Sequence, residues 1–342
     1  MRIKELDALR GIAAIMVVFF HYTFNKPESQ LGFKVGTTGV DLFFIISGFV
    51  IFMSLSNITR SIDFVINRVS RLYPTYWASV TFAFFVLLIN SNFSGVGTQS
   101  LTYLKNMTMF QYYLKAHNLD EVYWTMIIEM LFYLGVLLLF QFKLLKHFKP
   151  IGMFLLITAF VMKFFFCNYR LVIISVGLIP LIEFIPLFLA GTLFYDIYKN
   201  KNNSFNNYIM ILCCFICQNL MFKNSGKERY YVSQSEYSLM LFIYFSLFIA
   251  FVNNRLTFIV SRWTLFLGKI SFALYLTHNL LSTGILLPYF IGSLKINFWL
   301  SCLITLIINI LVASIITFKI EVPFCKSFKE KLRLLAPAKA SV

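Results

Sequence analysis

The chain has 342 residues, of which 59% are hydrophobic and 13% charged, and its mean hydropathy is +0.77. That excludes an ordinary soluble domain, in which about a quarter of the residues are charged. The formal net charge of +16 does not indicate nucleic acid, because the basic residues are not gathered into one patch with interleaved aromatics.

Apolar runs of about 17–25 residues are what a helix needs to cross the hydrocarbon core, and helices are the form open to such runs there. About ten are predicted, near residues 8–24, 39–55, 74–90, 122–141, 150–167, 181–198, 205–222, 237–252, 263–286 and 296–318. The expected fold is therefore an all-α polytopic membrane protein. With the N-terminus inside, ten spans put Arg2, Lys4, Arg60, Arg68, Arg71, Lys143 and the run from Lys319 to Lys339 on the inner side. The resulting bias, roughly two to one, predicts that both termini are cytoplasmic.

The first span, LDALRGIAAIMVVFFHYTF, carries Arg10 near its start and His21 near its end. Ionisable residues inside a membrane helix are costly and point to a functional site. At 3.6 residues per turn the two share one face, roughly 16 Å apart along the axis, with Ala14 between them. Asp7 and Arg10 interrupt the start and no small-residue cleavage site follows His21, so this is read as a retained span rather than a signal peptide.

In the second span, Asp41 stands at the outer helix start, where a dipole-favoured cap and a role at the site both account for it. Ser47-Gly48 lies at mid-membrane, where small residues permit close helix approach, and this outweighs direct chemistry for Ser47. The loop that follows holds Arg68-Val69-Ser70-Arg71, then Leu72-Tyr73-Pro74. Residues at i and i+3 share a helix face, so the two arginines can grip one phosphate-rich object. Ordinary positive-inside charge is the competing reading.

Residues 91–121 and 223–236 are polar outer loops large enough to shape a substrate mouth. The fourth span enters with Trp124, followed by Glu129 and Tyr133 one turn apart. A buried carboxylate needs partners, and its depth matches that of His21, so the two are expected in one polar cluster. Cys213, Cys214 and Cys217 have no accompanying His or Asp, which favours an apolar helix over a metal site; no disulfide framework is expected. The ninth span sets Ser271, Tyr275 and His278 on one face, and for His278 a structural and a functional reading both stand.

At this point the resemblance is specific. LDALRGIAAIMVVFFHYTF, TGVDLFFIISGFVI, FVINRVSRLYPTYW, VYWTMIIEMLFYL, IPLFLAGTLFY, GKISFALYLTHNLL and IEVPF follow in order, and together they resemble the acyltransferase-3 family of membrane O-acyltransferases. The resemblance implies a bacterial cytoplasmic-membrane enzyme that takes an acyl group, acetyl above all, from cytoplasmic acyl-CoA. The acceptor is then a carbohydrate on the far side, with no permanently bound cofactor, no metal and no nucleic-acid partner; oligomeric state has no signature. It further implies that His21 matches the family's essential histidine, Arg10 its essential arginine, Arg68 and Arg71 its paired arginines, and Glu129 with Tyr133 its Trp-to-Glu-to-Tyr motif. Thr277 and Asn279 depart from the family pattern around His278. The transmembrane domain is expected over residues 1–320, with a basic cytoplasmic tail over 321–342 lying against headgroups or in water.

In the mechanism expected from these residues, Arg68 and Arg71 hold the phosphates of coenzyme A and Arg10 its pyrophosphate or pantetheine. His21 acts as general base or transient acyl acceptor, and Glu129 orients its ring. A carrier for a lipid-linked sugar or anion is the alternative. Asp41, Ser47, Trp124, Tyr275 and His278 are expected around the substrate.

Overall fold

The computed structural model describes residues 3–29, 32–56, 58–90, 96–200, 204–223 and 232–335. Regular structure among the described residues is helical, and ten helical stretches are long and apolar enough to cross a membrane. They follow the order expected from the sequence and make this a multi-pass membrane protein. The helices are α1 (Lys4–Thr23), α2 (Gly39–Leu55), α3 (Ser61–Asn90), α4 (Val96–Asn106), α5 (Trp124–Gln141), α6 (Phe148–Phe165) and α7 (Arg170–Leu178). After them come α8 (Ile185–Lys199), α9 (Ser204–Phe222), α10 (Gln234–Val252), α11 (Arg262–Leu281), α12 (Phe298–Ile315) and α13 (Val322–Leu335).

Three segments differ from the sequence reading. The third span starts at Ser61 rather than near residue 74, so Arg68 and Arg71 stand on a helix and not in a loop. Asp63 in its first turn suits the positive end of the helix dipole and binds Arg60 Nε at 2.9 Å. Pro74 sits inside that helix, at the cost of one backbone hydrogen bond. The expected loops at 91–121 and 223–236 are described only in part, since 91–95 and 224–231 lie outside the described residues, as do Arg2 and 336–342. Within the first of these loops, residues 96–106 are helical as α4. The stretch expected as a tail is helical from Val322 to Leu335.

The chain divides into two compact units. The first comprises Met1–Asn25, Leu31–Ser56 and Ile128–Gly268. Its centre is the crossing of α2 with α8, where a Cβ on Gly48 would lie 2.2 Å from the Phe188 carbonyl oxygen and one on Gly191 2.1 Å from that of Ile45. Close approach at Ser47-Gly48 is thus what the small residues permit. Phe188, fully buried, stacks on Phe132 at 4.2 Å. The segment leading into α2 lies equally close to α1, where a Cβ on Gly36 would meet the Met16 carbonyl oxygen at 2.2 Å.

The second unit comprises Lys26–Gln30, Asn57–Ile127 and Lys269–Val342. Buried polar groups hold it together. Trp77 Nε1 and Tyr73 Oη on α3 donate to the Met107 and Thr108 carbonyls, each at 2.9 Å. Asp120, 2% exposed, accepts from Asn279 Nδ2 at 2.8 Å, from the Leu280 amide at 2.9 Å and from the Val122 amide at 3.3 Å. Burial pushes the Asp120 carboxyl above the usual carboxylate range, against the pull of those three donors. A raised folded value means that its contribution to stability is complete below the ordinary aspartate pKa and is lost as pH rises through the folded one. Melting curves of wild type and Asp120→Asn in the same detergent should show the difference, wild type minus variant, falling from pH 4 to pH 8. A difference that rises with pH would contradict this.

Candidate active site

The helix face shared by Arg10 and His21 is turned toward protein. Ala14 and Val17, between them, are fully buried, whereas Ile12 on the opposite side is exposed. His21 Nδ1 lies 2.9 Å from the Val17 carbonyl oxygen one turn earlier. A carbonyl only accepts, so Nδ1 donates, and in the neutral form of the ring Nε2 is the basic nitrogen. The ring of Phe20 meets the imidazole edge-on, with centroids 4.9 Å apart.

Ser47, Glu129 and Tyr133 come together in the same unit. Ser47 Oγ on α2 donates to Glu129 Oε1 at 3.1 Å, and the Tyr133 hydroxyl donates to the same oxygen. One carboxylate oxygen thereby ties α2 to α5. The hydrogen bonds of Glu129 go to these two hydroxyls, while the hydrogen bond that sets the His21 tautomer comes from the backbone of α1. The i−4 carbonyl within reach of Nδ1 thus orients the ring from within α1.

Asp41 stands in the first turn of α2, where a carboxylate suits the helix dipole, and is buried, 2% exposed, against the Tyr237 hydroxyl of α10. Nearby, the Tyr244 hydroxyl and Thr38 Oγ1 are 2.7 Å apart, and Gln218 Nε2 donates to the Tyr237 hydroxyl at 3.1 Å. Gln218 and Tyr237 also line a small cavity with Lys163 and Glu183, whose ion pair measures 2.5 Å. Its volume of about 10 Å³ suits one water molecule. Sequence reasoning missed these residues. Lys163 and Glu183, both ionisable and both in or at apolar spans, were the signal that could have found them.

In the second unit, Arg68 and Arg71 lie one turn apart on α3, Arg68 half-buried with its guanidinium 5.9 Å from the Phe64 ring centroid and Arg71 exposed. Trp124, at the start of α5, is partly exposed. The Tyr275 hydroxyl is 3.0 Å from Thr125 Oγ1 and donates to the Val122 carbonyl at 3.2 Å. His278 is fully buried, with Nδ1 at 2.9 Å from the Tyr275 carbonyl and 3.1 Å from that of Leu274, so it too carries its proton on Nδ1. The cysteines on α9, Cys213, Cys214 and Cys217, are unbridged.

The family model of an acyltransferase domain matches residues 3–318. The chain is 24% identical over 290 residues to the proposed acetyltransferase ORF330 of Acidianus two-tailed virus, covering 81% of this chain and 82% of that protein. Over 110 residues it is 26% identical to the exopolysaccharide production protein ExoZ of Rhizobium meliloti (strain 1021), a match spanning 30% of this chain and 33% of ExoZ. No solved structure matches the chain.

Proposed function

This chain belongs to the acyltransferase-3 family and is an acyltransferase, and from that premise we propose that it transfers acetyl from cytoplasmic acetyl-CoA to a hydroxyl of an extracytoplasmic or lipid-linked carbohydrate. The membrane is then a bacterial cytoplasmic membrane with both termini inside. Likeness to an acetyltransferase supports the acyl group and likeness to an exopolysaccharide production protein supports the acceptor. The observation that carries the reading is the Nδ1 hydrogen bond of His21, which leaves Nε2 as the basic atom on a protein-facing stripe.

In this mechanism Nε2 removes the proton of the sugar hydroxyl as its oxygen attacks the thioester carbonyl. The C–S bond breaks, and the coenzyme A sulfur takes up the proton from the imidazolium, so the ring returns to its starting state. Arg10 guides the pyrophosphate or pantetheine; Arg68 and Arg71 bind phosphate. Ser47 and Tyr133 hold the Glu129 carboxylate, and Asp41, Trp124, Tyr275 and His278 contact a substrate or support residues that do.

The test is acetyl transfer by the purified protein in nanodiscs, followed by mass on the glycan and by release of coenzyme A. Acetylated glycan with one equivalent of free thiol supports the reading; glycan transport without thioester consumption overturns it in favour of a carrier. Arg68→Gln should raise KM for acetyl-CoA about tenfold through loss of a charge-assisted contact, with little change in kcat. Initial-rate kinetics over a range of donor concentrations would show it, and an unchanged KM would remove Arg68 from the donor site.

A further inference from the structure

We propose that the groove between α3, the end of α12 and the start of α13 holds one phospholipid of the surrounding bilayer, its acyl chain along the groove and its anionic headgroup at Lys319 and Lys326. All the elements that form it belong to the second unit. The groove has a volume of about 600 Å³, within the roughly 300–1,000 Å³ usual for a ligand site, and its walls are almost wholly apolar.

On α3 the wall runs from Pro74 through Trp77 and Ala78 to Phe85, and across from it stand Ile316 and Phe324. Ile316–Glu321, between α12 and α13, is wound as a π-helix, a form often found at functional sites. Beyond it α13 packs along α3. The Phe328 ring centroid is 5.7 Å from that of Trp77, and Cys325 Sγ is 3.9 Å from the Arg71 carbonyl oxygen. The helix pair is thus closed at the Pro74 end and stands apart from there to Phe85. Phe85, Ile315 and Phe324 are exposed, so the groove opens toward lipid.

Length and charge identify the occupant. From Pro74 to Phe85 the groove follows α3 for roughly 16 Å, about half of the ~30 Å hydrocarbon core, which is the reach of one acyl chain in one leaflet. A polyprenyl carrier is longer than that. No charged residue occurs on α3 from Leu72 to Asn90, and none on α12, so the Phe85 end lies in hydrocarbon. The other end is basic. Lys319 lies between the groove residues Ile316 and Ile320, Lys326 lies two residues beyond Phe324, and both are exposed. Arg71, exposed one turn before Pro74, adds to the positive field, and the carboxylate of this stretch, Glu321, is half-buried. The flexible stem of a lysine carries its ammonium from apolar surroundings to a headgroup. A lipid that merely coats the protein meets one helix surface, whereas here two helices enclose the chain and cations stand at one end, which makes the headgroup selectable.

The experiment uses the full-length protein, purified in detergent and followed by native mass spectrometry with phosphatidylglycerol and phosphatidylcholine of the same chains. Wild type should keep one phospholipid and favour phosphatidylglycerol about tenfold. The double variant Lys319→Gln with Lys326→Gln should bind the two lipids alike, because the chain site is intact. Ala78→Phe, which fills the groove, should lose both. Phosphatidylglycerol with a photoactivatable acyl chain should label wild type on the peptides that hold Trp77 and Phe324, and excess unlabelled phosphatidylglycerol should suppress this, a result that stands even if Ala78→Phe fails to fold. Labelling elsewhere on the chain, no retained phospholipid, or a preference that survives in the double variant would overturn the proposal. So would displacement of the label by an equimolar polyprenyl phosphate, which would give the groove to a lipid-linked acceptor.

Discussion

Replacing His21 with alanine is expected to lower kcat by about 10²–10⁴-fold, the range lost with a general base. KM for acetyl-CoA should change little, because the phosphates are held elsewhere. The reason lies in the geometry of α1. Nδ1 is committed to the Val17 carbonyl at 2.9 Å, so proton transfer falls to Nε2, and alanine removes that nitrogen without disturbing the helix ladder. His21→Asn, which can still bond the backbone, should be no more active than alanine, since an amide has no basic nitrogen. Size-exclusion profiles and membrane yield should match wild type. A variant that keeps more than a tenth of wild-type kcat would refute the assignment. Initial-rate patterns in donor and acceptor test the rest of the step: intersecting lines support direct attack, and parallel lines support an acyl-histidine.

The second large effect is expected at Glu129. Its Oε1 accepts from both Ser47 and Tyr133, hydroxyls contributed by α2 and α5. Glu129→Ala removes the acceptor of two hydroxyl groups, one of them on a buried tyrosine, and each unsatisfied group costs about 1–3 kcal/mol. The expected result is a loss of thermal stability of that order together with a fall in kcat of about 10–100-fold, as the face of α2 next to α5 loses its tie. Glu129→Gln retains one oxygen and should recover most of the stability. If it also recovers the rate, the carboxylate acts by holding Ser47 and Tyr133; if the rate stays low, its charge is required. A Ser47→Ala, Tyr133→Phe double-mutant cycle measures the coupling, and fully additive losses would show that the shared oxygen is not a joint.

Much of this was legible from residue order. The ten spans followed from hydropathy, and the Arg10 and His21 stripe followed from helical period, because both properties belong to one segment at a time. The start of α3 was placed too late for a related reason: SIDFVINRVSRLY is too charged to count as hydrocarbon-spanning, yet it is helical, and turns outside the hydrocarbon need not be apolar. Asp41 shows the limit of local reasoning. Its position in the first turn of α2 fits the helix dipole and a role at the site equally, and its neighbour Tyr237 comes from α10, some two hundred residues later.

By itself the sequence determined that the protein is a helical, multi-pass acyltransferase, and which helix face bears the imidazole, since hydropathy and period act over a single segment. Tertiary structure alone decided that Val17 sets the His21 tautomer, that Glu129 serves Ser47 and Tyr133, and that α13 lies along α3. The physical reason is that these outcomes depend on how far each helix is rotated and how closely it approaches its neighbours. Glycine contacts such as that of Gly48 with Gly191 set that distance, and no periodicity within one helix records it.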